Sequence, residues 1–155
     1  MQNNLNKEGL SIEVINGSVS GSTSSGGLNR AEWTLSENNI DLMILCLGAN
    51  DMLRGINPKE TKNNLEEIIK IAKNKKIKVI IAGMIAPTSY GLEYKKSFDQ
   101  IFSDLSKEYK LQLIPFLLEG VAQKPEFNLS DGMHPNDQGT IIIGNTLKKA
   151  ILENL

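Results

Sequence analysis

Residues that build metal centres and disulfide scaffolds are nearly missing from this sequence. Cysteine occurs once, at Cys46, which excludes an internal disulfide and a thiolate zinc cage. Histidine also occurs once, at His134, so a histidine-rich metal site is excluded and no bound metal is expected. Neither sign of charge is in excess: Lys plus Arg number 17 and Asp plus Glu 18, for a net charge of -1. That balance gives no electrostatic footprint for nucleic acid or an anionic membrane surface. Long hydrophobic runs are absent too. The longest, residues 42–49 and 79–86, have eight residues, against the ~20 that a spanning helix needs. The opening stretch MQNNLNKEG carries neither the basic region nor the apolar core of an export signal.

What is present fits one soluble α/β domain over residues 1–155. The chain is 40% hydrophobic and 23% charged, ordinary values for that class. Apolar runs of strand length alternate with helical patterns. SIEVIN (11–16), DLMILCL (41–47), IKVIIAG (77–83) and LQLIP (111–115) read as strands, the last three buried on both faces as in a helix-covered parallel sheet. Asn57-Pro58-Lys59-Glu60 supplies an N-cap, a proline at the first helical position and a glutamate at the third. The helix it opens carries Leu65, Ile68, Ile69 and Ala72 on one face and ends among lysines. A second helix is expected from Glu93 to Tyr109, with Phe98, Ile101, Phe102 and Leu105 inward. A third runs from Asn136 to Leu155, and a shorter one from Leu28 to Glu37. No linker, repeat or charge tract divides the chain.

Ligands of such sheets bind beyond the carboxyl ends of the strands, so the segments following the strands are the candidates. After the first strand comes GSVSGSTSSGG (17–27), ten of whose eleven residues are Gly, Ser or Thr. It is open to three readings: a phosphate cradle, a source of an N–H at Gly21, or a solvated loop. It lacks GxGxxG and the Walker lysine. GAND (48–51) ends the second strand. The Asn50 amide is suited to donate to an oxyanion, or Asn50 and Asp51 form an Asx-turn that caps the next segment. In DGMHP (131–135), Asp131 precedes His134 by three residues across a glycine-containing turn. A carboxylate so placed can hold Nδ1–H of the imidazole and leave Nε2 as a base; the alternative is a turn aspartate beside a solvated histidine. Met84, Phe98 and Phe102 read as core, and Cys46 as a buried strand residue.

These segments, in order, resemble the blocks of the SGNH (GDSL-type) hydrolases, in particular the acyl-CoA thioesterase I, lysophospholipase and arylesterase subgroup. INGSVSGSTSSGGLNR resembles the second block and LGANDMLRGINPKET the third. APTSYGLEYKKSF resembles the subgroup's substrate-side loop, and SDGMHPN the fifth block. The resemblance implies a flavodoxin-like three-layer α/β/α fold with a parallel sheet. It implies attack by a serine on a small acyl ester or thioester, with His134 as base and Asp131 orienting it. Gly21 and Asn50 would then form the oxyanion hole, and Ala86, Pro87 and Tyr90 would lie along the substrate. No metal or organic cofactor is required.

The GDS block that carries the family's nucleophile has no counterpart among the 155 residues. MQNNLNKEGLSIEVIN resembles the end of the family's first helix and its second strand, so Met1 is expected to fall inside that helix. The expectation is a domain truncated at its N-terminus, lacking the family's first strand. Ser18, Ser20, Ser22, Ser24 and Ser25 are not expected to replace the nucleophile, because that block's task is to present an N–H. An inactive or purely binding fragment, and a carbohydrate acetyl esterase, are the competing readings. The compartment and the oligomeric state follow from none of these motifs; a longer parent with an export signal would be periplasmic or secreted, and one without it cytoplasmic.

Overall fold

The architecture was obtained as a computed structural model, which describes residues 2–6, 9–36 and 39–155. The expected helical placement of Met1 and the expected helix end at Glu37 lie outside the described residues. Contacts divide the chain into two compact units, one formed by Gly17–Phe116 and the other by Met1–Asn16 with Leu117–Leu155.

The Gly17–Phe116 unit is built on a parallel sheet in the order β1 (Leu42–Leu45), β2 (Lys78–Ala82), β3 (Gln112–Ile114). Leu42 pairs with Lys78 and Leu45 with Ile81; Ile80 pairs with Gln112 and Ala82 with Ile114. Each strand reaches the next through helices, as parallel pairing demands. α3 (Ala49–Leu53) and α4 (Pro58–Asn74) connect β1 to β2, and α5 (Leu92–Tyr109) connects β2 to β3. α2 (Ser24–Thr34) precedes them and packs on α4, which packs in turn on α5; α4 and α5 both lie against β2. This is the expected α/β class with a parallel sheet.

The helices follow from their sequences. The side chain of Asn57 accepts the N–H of Lys59 at 2.9 Å, and Pro58 opens α4. Leu65, Ile68, Ile69 and Ala72 are all buried, as their spacing predicts. On α5 the same holds for Phe98, Ile101, Phe102 and Leu105, and Met84 joins them in the core. Lys62 pairs with Asp104 at 3.1 Å and Tyr109 donates to Glu66 at 2.6 Å, tying α4 to α5 at their polar margins.

In the other unit, α1 (Gln2–Asn6) is a short helix and α6 (Asp137–Leu152) a long one. Asn136 caps α6 by accepting the N–H of Gly139 at 3.0 Å. The helix stops at Leu152, three residues before its expected end.

Four sequence expectations are corrected here. Residues 11–16 form no strand. They alternate between half-buried and exposed, and no described strand pairs with them. Two of their polar backbone groups are met by one side chain: Gln2 Oε1 accepts the N–H of Val14 at 2.5 Å, and Gln2 Nε2 donates to the carbonyl of Ile12. A strand persists only where a neighbour completes its ladder, and an amide side chain satisfies just two groups.

Cys46 is exposed, not a core residue. The ladder of β1 ends at Leu45, so Cys46 falls past the paired segment. β1 and β3 are also less covered than expected, since Leu42, Met43 and Ile44, and likewise Gln112 and Leu113, are only half-buried, whereas Val79 to Ala82 of β2 are buried throughout. β2 is central, and β1 and β3 are the edges of the described sheet. Finally, the short helix begins at Ser24 and not at Leu28, so a third of the Gly/Ser segment is helical.

Candidate active site

The reason for that early helix start lies at the end of β1. Thr23 caps α2 by accepting the N–H of Gly26 at 3.2 Å. The stronger anchor is Asp51 of α3. Its Oδ2 accepts the N–H of Ser24 at 2.8 Å and its Oδ1 the hydroxyl of Ser24 at 2.5 Å. Thr61 of α4 donates to the same Oδ1 at 3.2 Å, and Asn64 donates to Ser24 Oγ at 3.0 Å. Ser24, Asp51 and Thr61 are each fully buried. A buried carboxylate is tolerated where donors surround it, and a carboxylate at a helix N-terminus also meets the positive end of the dipole.

Asn50 and Asp51 therefore form no isolated Asx-turn. They sit in the first turn of α3, and Asp51 anchors a different helix, twenty-seven residues upstream. Gly48 makes the strand-to-helix junction possible. Its φ is +112°, and a Cβ there would lie 3.3 Å from the Phe102 ring and 3.5 Å from that of Phe98. A side chain at this position is disfavoured mainly by the backbone conformation, and its Cβ would press tightly on the Phe102 ring.

The side-chain amide of Asn50 donates to the carbonyl of Ser22 at 3.1 Å. An Asn amide has two N–H donors, so one bond to Ser22 leaves the second. Gly21 has φ +72° and its carbonyl accepts from Arg54 Nη2 at 3.0 Å. Gly21 and Asn50, both singled out in the sequence, are thus brought to neighbouring positions by α3.

The loop after β2 is fixed to the same unit. Ala86 is buried, its N–H donating to Asp99 Oδ1 at 2.7 Å and its carbonyl accepting from Lys95 at 2.8 Å. Lys95 and Asp99 are themselves paired at 2.6 Å. Pro87 is exposed and leads into a 3-10 turn, Thr88–Tyr90. Tyr90 donates its hydroxyl to the carbonyl of Leu53 at 3.0 Å and lies over Gly55, its ring 5.2 Å from that of Tyr94. The loop carrying Ala86, Pro87 and Tyr90 therefore borders the segment that follows Asn50.

Asp131 and His134 belong to the other unit. Asp131 Oδ2 lies 2.6 Å from His134 Nδ1, while Oδ1 accepts the N–H groups of Met133 and His134, both at 2.9 Å. The backbone N–H groups of His134 and Met133, with the imidazole, hold the Asp131 carboxyl at about 2, well below the ordinary carboxylate value. Gly132, with φ +69°, turns the chain between them. The turn is braced from below. Leu129 N–H donates to the carbonyl of His134 at 2.7 Å, and Asn128 Nδ2 donates to the carbonyls of Val121 and Lys124 at 2.8 and 2.7 Å. The His134 side chain is 71% exposed, so the imidazole edge away from Asp131 opens outward. As the alternative reading has it, Asp131 organises the turn and His134 is exposed; Asp131 also meets the ring with its other oxygen, as the catalytic reading requires.

Sequence reasoning missed the Asp51–Ser24–Thr61–Asn64 cluster. The T-S-S run at 23–25 is a helix-start signal that would have placed the N-terminus of α2. Nothing local marks Ser24 as the partner of Asp51. Among the described residues no helix is long and apolar enough to cross a membrane.

Residues 1–140 match the GDSL-like Lipase/Acylhydrolase family, and the chain belongs to it. An arylesterase of Vibrio mimicus is 36% identical over 149 residues, covering 96% of this chain and 74% of that protein. Thioesterase 1/protease 1/lysophospholipase L1 of Escherichia coli (strain K12) is 33% identical over 138 residues, covering 89% of this chain and 66% of that protein. Among solved structures, the psychrotrophic esterase EstA from Pseudoalteromonas sp., inhibited by monoethylphosphonate, superposes with a TM-score of 0.93 at 29% identity. That match covers 98% of this chain and 83% of EstA. The chain thus spans about two thirds to three quarters of the length of these curated relatives. Its class is that of the serine ester and thioester hydrolases, and its fold is the flavodoxin-like α/β fold of that class.

Proposed function

We propose that this chain serves serine-dependent hydrolysis of small carboxylic ester or thioester substrates through an acyl-enzyme. His134 takes the proton of the attacking serine at Nε2, and Asp131 fixes its tautomer and stabilises the imidazolium. The Gly21 N–H and the Asn50 amide receive the oxyanion of the tetrahedral intermediate. Ala86, Pro87 and Tyr90 border the acyl group. His134 passes the serine's proton to the departing alcohol or thiol as the acyl-serine forms; it then takes a proton from water, which attacks the acyl carbon, and returns it to the serine oxygen as the acid leaves. The observation that carries this reading is the Asp131–His134 pair at 2.6 Å, with the carboxylate pinned by two backbone N–H groups.

The same proposal assigns residues 1–155 to one SGNH hydrolase domain whose nucleophile lies on a block N-terminal to them. The experiment is to read the source DNA upstream of Met1, express the chain with that segment, and assay it. The substrates are an aryl acetate, an octanoyl thioester, a lysophospholipid and an acetylated xylan. Hydrolysis of the first three, lost on His134→Ala, is the expected result. Preference for acetyl-xylan would turn the reading to a carbohydrate acetyl esterase. An extended protein that binds without turnover would make it a binding module.

A further inference from the structure

Side chains of α3 and of Arg54, the residue that follows it, grip one short segment of backbone. Arg54 holds the carbonyl of Gly21, Asn50 that of Ser22, and Asp51 the N–H and hydroxyl of Ser24. These three attachments differ in environment. Arg54 is exposed and Asn50 half-buried, but Asp51 and Ser24 are both inaccessible to solvent. Exposed hydrogen bonds exchange readily with water, whereas a buried carboxylate with every donor directed at it has no alternative arrangement of comparable energy.

We propose that Asp51, with Ser24 and Asn64, is the positioning element of the oxyanion-binding groups. It fixes where the Gly21 N–H and the Asn50 amide point, without touching substrate. The inference rests on the reading of Gly21 and Asn50 given above and adds to it the group that sets their geometry. Asn50 and Asp51 are adjacent in α3, so anchoring the buried Asp51 carboxylate to Ser24 and Thr61 holds the backbone from which the Asn50 side chain reaches the Ser22 carbonyl. Ser24 is three residues from Gly21, so anchoring its N–H and hydroxyl limits the freedom of the Gly21–Ser22 peptide. Thr61 and Asn64 extend the anchor to α4, the helix whose Leu65, Ile68 and Ile69 are in the core. A loop rich in glycine and serine is thereby made rigid at the point where it must present a donor, consistent with the need for preorganised dipoles in such sites.

The test uses the 155-residue chain and nuclear magnetic resonance, and needs no turnover. Asp51→Asn keeps the shape of the side chain but offers one acceptor oxygen in place of two. The expected result is a displacement of the Gly21 and Ser22 amide resonances and of the Asn50 side-chain amide pair. Hydrogen exchange at Ser24 and Gly27 should quicken at least about tenfold, with Ile80 and Ile81 of β2 within about threefold of the parent chain, the pattern of local opening. Unmoved Gly21 and Asn50 signals would overturn the proposal. So would a uniform loss of protection that includes β2, because Asp51 would then serve only global stability. Should Asp51→Asn fail to fold, Asn64→Ala decides, since it removes a donor to Ser24 Oγ without altering α3 or the loop. Displaced Gly21 and Asn50 signals in that variant support the proposal, and unmoved ones refute it. A failure of hydrolysis in the extended protein would sink the functional reading and leave this measurement standing.

Discussion

Oδ2 of Asp131 stands 2.6 Å from Nδ1 of His134 while Oδ1 takes two backbone N–H groups of the same turn. One carboxylate therefore shapes the loop and orients the imidazole at once. Its folded-state pKa, about 2, lies below the ordinary value of 3.8. A depressed carboxylate contributes stability that is complete above its ordinary pKa and is lost as pH falls through the folded value. The Asp131–His134 contact is accordingly expected to persist at pH 4 and to fail near pH 2. A carbon-13 titration of the Asp131 carboxyl reads this directly; a midpoint near 3.8 would contradict it. In the extended enzyme, Asp131→Asn should lower kcat on the order of 10,000-fold, as expected when a triad histidine loses its correct tautomer.

Asn50→Ala separates catalysis from stability. Its one described side-chain bond, to the carbonyl of Ser22, contributes about 1 kcal/mol, so thermal unfolding should move only slightly. Loss of an oxyanion donor costs about 100- to 1000-fold in kcat. Kinetics and melting of the same variant, measured on the extended enzyme, check both halves. A loss of activity matched by a large drop in Tm would mean the residue acts only through folding.

Gly48→Ala should destabilise by about 1–3 kcal/mol, because a side chain would be held in a backbone conformation that L-residues avoid. The added Cβ would also press on Phe102 at 3.3 Å. Denaturant unfolding measures the change, and a variant as stable as its parent would show that the junction relaxes.

Phe98→Ala tests the core under the same junction. Phe98 is fully buried, stacked on Tyr94 at 6.1 Å and edge-on to Phe102 at 5.7 Å. Truncation is expected to cost about 3–5 kcal/mol. The Asp131 carboxyl titration should be unchanged in this variant wherever the chain remains folded.

The features that the sequence determined by itself are those whose causes lie within a few residues. The cap at Asn57, the proline at 58 and the stripe of Leu65, Ile68, Ile69 and Ala72 specify α4, because helix ends and faces are set by near neighbours. The Asp131–His134 pair was legible for the same reason, since a turn closed by Gly132 brings groups three residues apart into contact. Tertiary structure decided the rest. Ile12 to Ile15 have the composition of a strand, yet a strand needs a partner, and Gln2 takes the polar groups that a ladder would have used. Cys46 continues an apolar run but lies beyond the last paired residue of an edge strand, so it is exposed. Ser24 lies in a stretch that composition describes as loop. Thr23 marks the helix start locally, but the acceptors that let Ser24 be buried as its first residue come from Asp51, twenty-seven residues away.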